Sequence, residues 1–191
     1  TTPHEFAHAW VAERLGDDTP RLEGRVTLNP LAHVDWIGTV FLPLITSLMG
    51  AGFLGWGRPV NTNPSKLRGG LRGLAIVAMA GPASNVVFAA VLAGLASAVL
   101  SSAPSLVDLS IIAMQLSLYL AIFNMIPVPP LDGSKLLLAA RIPIRVYNEL
   151  ARFGFLLLLV AMSATNLGRS MSDWSWSGAS WLLNVFGVRG G

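Results

Sequence analysis

Charge disappears from this chain four times. Trp36 to Gly57, Gly73 to Val107, Leu109 to Leu131 and Phe153 to Gly168 hold no Asp, Glu, Lys or Arg. A helix needs about 20 apolar residues to cross a hydrocarbon core of about 30 Å. Three of the runs have that length outright, and the fourth reaches it if Arg152 and Arg169 snorkel to the interfaces. The pattern predicts helices over roughly 73–100, 108–125 and 147–168. The first run differs, being broken by Pro43, Gly50, Gly52 and Gly55, which suits a segment that dips into the membrane and returns. Before it, Thr1 to Leu15 is helical in pattern and stops at Gly16-Asp17-Asp18. The polar stretch 17–35 alternates at Arg25-Val26-Thr27-Leu28, which predicts a short strand or hairpin ahead of a turn at Asn29-Pro30. The fold class expected is an all-α polytopic membrane protein: a helical bundle with a re-entrant segment and a short β-hairpin-like loop. Residues 1–168 form the core, and 169–191 an interfacial tail in which Trp174, Trp176 and Trp181 suit the membrane–water boundary.

Composition sharpens this picture. The chain is 53% hydrophobic and 12% charged, where a soluble domain is about 25% charged. A net charge of +3 would suggest nucleic acid if the basic residues formed a patch. They sit instead in short loops between apolar runs, as orientation signals do, so the partners expected are membrane lipid and membrane proteins rather than nucleic acid. With no cysteine, neither a disulfide nor a thiolate ligand is available. The chain opens Thr-Thr-Pro, and its chemistry begins at position 4, which reads as a first helix lacking its upstream half.

That chemistry is His4-Glu5-Phe6-Ala7-His8, an H-E-x-x-H pattern. Residues four apart share one helical face, so both imidazoles can reach one ion. Glu5 then lies beside the metal, where it can take a proton from water. A purely structural reading makes Thr2-Pro3-His4-Glu5 a capping box, which leaves both histidines unexplained. A catalytic zinc usually has three protein ligands and a water. The third is His33 or a carboxylate. Asp132 stands out, because it follows an uncharged run and the helix-breaking Pro127, Pro129 and Pro130. Broken backbone at membrane depth is tolerated only where it lines a site or is buried in protein. An ordinary Asp-Gly turn at the interface is the competing reading.

His4 to His8 together with Leu131-Asp132-Gly133 resembles the site-2 protease family of intramembrane zinc proteases. Gly16-Asp17, the stretch from Gly24 to Asp35 (GRVTLNPLAHVD), Gly38-Thr39, Gly55 to Val60 (GWGRPV) and Ala80 to Asn85 (AGPASN) resemble its compact bacterial and archaeal branch without a PDZ domain. The likeness covers nearly all of the chain except the tail. It implies hydrolysis of transmembrane or membrane-adjacent peptide bonds, one zinc per chain held by His4, His8 and Asp132, and Glu5 as base. The family motif carries a histidine at His33, so a substrate-side role stands beside that of a packed loop histidine. Asn85 is suited to substrate backbone or an oxyanion, or to an interhelical hydrogen bond. Asn124 has the same two readings.

Topology follows from the shared ion. His8 lies seven residues, about 10 Å of rise, from Leu15. If 36–57 crossed the bilayer fully, Asp132 would be stranded on the far side. If 36–57 re-enters, one face carries Arg14, Arg21, Arg25, Arg58, Lys66, Arg68, Arg72, Lys135, Arg141, Arg145 and Arg152, and the other only Arg169 and Arg189. That asymmetry orients the basic side, and the opening of the site, toward the cytoplasm of a multi-pass protein. A catalytically silent scaffold of the same fold is one rival. A metal transporter is another, although transporters place their sites between repeated halves and no repeat is evident.

Overall fold

The computed structural model describes residues 1–36, 41, 44–45, 58–99 and 104–188. The chain divides into two compact units, residues 1–77 and 78–191. Among the described residues it is helical without strands. Seven α-helices run α1 Thr2–Arg14, α2 Thr19–Leu22, α3 Leu71–Val99, α4 Pro104–Asn124, α5 Gly133–Ala139, α6 Ile144–Ala164 and α7 Leu167–Val185, with a 3-10 turn at Pro30–His33. The expected re-entrant segment, 36–57, lies almost entirely outside the described residues.

In the first unit, α1 buries the stripe His4, His8, Ala9 and Ala12 and exposes Trp10. Pro3 falls in the first turn, where a missing N–H costs nothing, so the helix continues through it. The capping box does not form: the N-cap is Thr1, with no side-chain cap. The helix ends at Leu15, and Gly16 turns the chain with φ +103°, a left-handed value that favours glycine.

The end of α1 and the turn after it are stapled to the loop preceding α3. The Arg68 N–H donates to the Leu15 carbonyl at 2.8 Å, and its guanidinium donates to the Arg14 carbonyl. Asp17 is fully buried and accepts from the Thr19 N–H at 3.1 Å and the Asn63 N–H at 2.6 Å. At the surface, Lys66 Nζ meets Asp18 Oδ1 at 2.6 Å. That hydrogen bond, with the charge behind it, holds the Asp18 carboxyl below its ordinary pKa.

The stretch 17–35 departs from the expected hairpin. Pro20 sits in the first turn of α2. Farther on, the Asn29 side chain accepts from the Leu31 N–H at 3.1 Å and starts the 3-10 turn, in which Pro30 opens the first turn. Local Pro and Asn chemistry thus outweighs the two-residue alternation of 25–28.

In the second unit, α3, α4 and α7 pack through small side chains. Ala89 and Ala93 of α3 meet Met114 and Leu118 of α4 and Ala179 and Leu182 of α7. The Gln115 amide donates to Ser175 Oγ at 2.9 Å, and Ser97 Oγ donates to the Phe186 carbonyl at 2.8 Å. Small contacts and side-chain hydrogen bonds are what hold helices together in lipid, where apolar burial alone gives no preference. The outward faces are large and apolar, with Val87, Val91 and Leu95 on α3 and Leu109, Ile112 and Leu116 on α4.

Among the described residues, three helices are long and apolar enough to cross a membrane: Leu71–Ala98, Ser105–Asn124 and Ile144–Ala164. The last starts earlier than 147, because Pro143 serves as its N-cap, and ends at the extended Thr165. The tail is itself a helix, α7. It buries Met171, Ser175, Ala179 and Leu182 and exposes Trp174, Trp176 and Trp181.

Asp17→Ala would leave two backbone N–H groups without their acceptor. We expect a loss of about 1–3 kcal/mol of stability, read as a lowered unfolding midpoint in detergent micelles. The exposed Asp18–Lys66 pair contributes little. Its contribution is present above the unfolded carboxylate pKa of about 3.9 and is lost as pH falls through the depressed folded value. An Asp18→Asn variant should therefore differ from wild type at neutral pH and converge with it in acid.

Candidate metal centre

α1 supplies two imidazoles one turn apart. Both are 5% exposed, and their rings stand edge-on at 87° with centroids 4.6 Å apart. His8 Nδ1 lies 2.7 Å from the Val77 carbonyl on α3. A carbonyl can only accept, so Nδ1 carries the proton and Nε2 presents its lone pair. That Nε2 lies 3.0 Å from His4 Nε2. Tetrahedral ligands bonded at about 2.0–2.1 Å would stand roughly 3.3 Å apart, so the pair is spaced much as two nitrogens on one zinc. Glu5, next to His4 on the same helix, remains partly exposed.

Asp132 is 7% exposed and occupies the N-cap of α5 with helical backbone angles, its side chain making no cap hydrogen bond. The turn that carries it is tightly set. A Cβ on Gly133 would meet the Met125 carbonyl oxygen at 2.3 Å and that of Ile126 at 2.7 Å, and one on Gly154 of α6 would meet the Pro129 oxygen at 1.9 Å. Gly133 is thus a glycine of close approach. It has no positive φ, so close packing and not backbone handedness is what requires a glycine at this turn. Ser134 Oγ donates to the Leu131 carbonyl at 2.6 Å.

His4, His8 and Asp132 each offer one ligand atom of a kind that can hold a metal ion. Two nitrogens and a carboxylate oxygen are ligands that zinc accepts, and three protein donors leave room for a fourth. The donor chemistry therefore fits zinc.

The remaining candidates stand outside this group. His33 is buried, with Nε2 2.9 Å from the Thr27 carbonyl of its own loop. Arg25 donates to the Ala32 carbonyl, so the loop is closed from both ends by basic side chains. Asn85 is buried in α3, and its carbonyl accepts from Ser117 Oγ at 2.9 Å. Asn124 Nδ2 donates to the Leu120 carbonyl at 2.9 Å, one turn back in α4.

Several participants carry weak sequence signals or none. Val77 and Gly154 act through long-range contacts. Lys135, whose Nζ reaches Asp132 Oδ1 at 2.9 Å, was legible only as an i,i+3 pair once a helix beginning at 133 is known.

Comparison with known proteins agrees with this chemistry. The chain is 35% identical over 180 residues to the Bacillus subtilis protein named "Putative zinc metalloprotease YwhC", covering 87% of this chain and 77% of that one. It is 32% identical over 189 residues to "Putative zinc metalloprotease Rip2" of Mycolicibacterium smegmatis, covering 97% and 70%. The chain belongs to this site-2 protease-like family of zinc metalloproteases. A Mycobacterium tuberculosis member, also named "Putative zinc metalloprotease Rip2", is 27% identical over 191 residues. No family model matches the chain, and no solved structure does. The H-E-x-x-H helix and the LDG turn of this metalloprotease-family chain are the two elements that carry its metal-capable groups.

Gly133→Ala must displace either the Asp132 turn or the Met125–Ile126 backbone. We expect zinc content per chain to fall several-fold while the far-UV helical signal is retained, as read by elemental analysis and circular dichroism.

Proposed function

We propose that the chain is an intramembrane zinc endopeptidase. His4, His8 and Asp132 would hold one zinc per chain, with Glu5 as general base. The observation that carries this reading is the buried His4–His8 pair, with Nε2 atoms 3.0 Å apart; Asp132 is the carboxylate that would complete the donor set. Family membership supports it. A zinc held there supplies a Lewis acid that polarises a peptide carbonyl and brings the pKa of water toward about 7.

The chain's own residues do the rest. His8, its Nδ1 proton committed to the Val77 carbonyl, would hold the metal through its Nε2 lone pair. Glu5 takes the water's proton and passes it to the leaving amine. The substrate class is a transmembrane or membrane-adjacent peptide segment, unwound locally so that its scissile carbonyl is free of intrahelical hydrogen bonding. The three apolar helices support a multi-pass arrangement. The distribution of Lys and Arg supports a site opening toward the cytoplasm.

Glu5→Gln should keep its zinc and lose cleavage of a membrane peptide by about 10²- to 10⁴-fold, the usual contribution of a general base. Equal cleavage by wild type and Glu5→Gln would reject this mechanism. Zinc binding with no cleavage by either would favour a silent scaffold, and zinc flux into liposomes without cleavage a transporter. Because the chain has no native cysteine, single cysteines at Ser65 and Thr165 report orientation cleanly. Labelling of position 65 from the cytoplasm and of 165 from outside is expected, and labelling of both from one side would reject the topology.

A further inference from the structure

We propose that Lys135 is a positioning residue that holds one oxygen of the Asp132 carboxylate and so presents the other to the metal; this rests on the metal reading above. The backbone beneath Asp132 has little freedom. Gly133 is pressed against the Met125 and Ile126 carbonyls and Gly154 against that of Pro129, with contacts that would bring a Cβ to 2.3 Å and 1.9 Å. Ser134 Oγ closes on the Leu131 carbonyl at 2.6 Å, and the Lys135 N–H donates to the Asp132 carbonyl at 2.9 Å. These backbone contacts do not set the rotation of the carboxylate itself. Lys135 Nζ, 2.9 Å from Oδ1, restrains that rotation.

An i,i+3 pair on an exposed helix would merit no such role, because surface pairs contribute little. Here the carboxylate side chain is 10% exposed and the lysine 29%. A buried carboxylate needs an opposite charge nearby to remain where it is. With Oδ1 engaged, Asp132 offers a single oxygen, which keeps the ligand count at three and a position open for chemistry. Outer partners that fix a ligand's orientation are worth about 10–100-fold in metal affinity.

The test is zinc affinity of the full chain in micelles, by competition with a chromophoric chelator, together with the visible spectrum of the cobalt-substituted protein. Lys135→Met should weaken zinc binding about 10- to 100-fold and alter the cobalt spectrum. Lys135→Arg, which restores the charge, should recover most of the affinity. If the methionine variant does not fold, Lys135→Gln carries the same comparison and should also lose at least tenfold. Unchanged affinity and spectrum in Lys135→Met, with zinc lost in Asp132→Ala, overturns the Lys135 role alone. Zinc retained at full affinity by Asp132→Ala sinks the ligand assignment, and this proposal with it.

Discussion

Two imidazoles and a carboxylate have been taken out of water, and everything around them answers that cost. Burying such groups is unfavourable unless each finds hydrogen bonds or a compensating charge. His8 meets it with the Val77 carbonyl on one nitrogen, which leaves the other as a directed lone pair. Asp132 meets it in part with Lys135.

The second constraint is steric. A carboxylate ligand is only as precise as the backbone beneath it. The helix ends at Asn124, before Pro127, Pro129 and Pro130, and the turn that follows is held largely by close backbone contact. Gly133 and Gly154 are the points where those contacts require the absence of a Cβ. On the H-E-x-x-H helix, buried Asp17 joins the C-terminal end of α1 to the Asn63 loop, and the Arg68 N–H donates to the Leu15 carbonyl there.

The membrane shapes what lies outside the site. Helices α3, α4 and α7 approach closely through alanine, serine and glycine, the packing that works when the solvent is as apolar as the side chains. Helix α6 exposes Phe153, Phe155, Leu156 and Val160 and buries little besides Gly154 and Leu158. Its close approach at Gly154, against the Pro129 backbone, bears on the stretch that leads to Asp132.

The sequence by itself determined the apolar helices, their approximate ends, the H-E-x-x-H face and the candidacy of Asp132. Those features rest on local periodicity, on helix-breaking residues and on the rarity of charge in lipid, all of which act over a few neighbouring positions. It misjudged 17–35, where alternation suggested a strand and the Asn29 cap and the prolines at 20 and 30 made helical turns. Between His33 and Asp132 as the third ligand, local sequence could not choose on its own. The structure turns His33 toward Thr27 within its own loop. Only tertiary structure could show that, pair His8 with Val77 across 69 residues or set Gly154 against Pro129. Contacts between residues far apart in the chain leave no periodic mark on it.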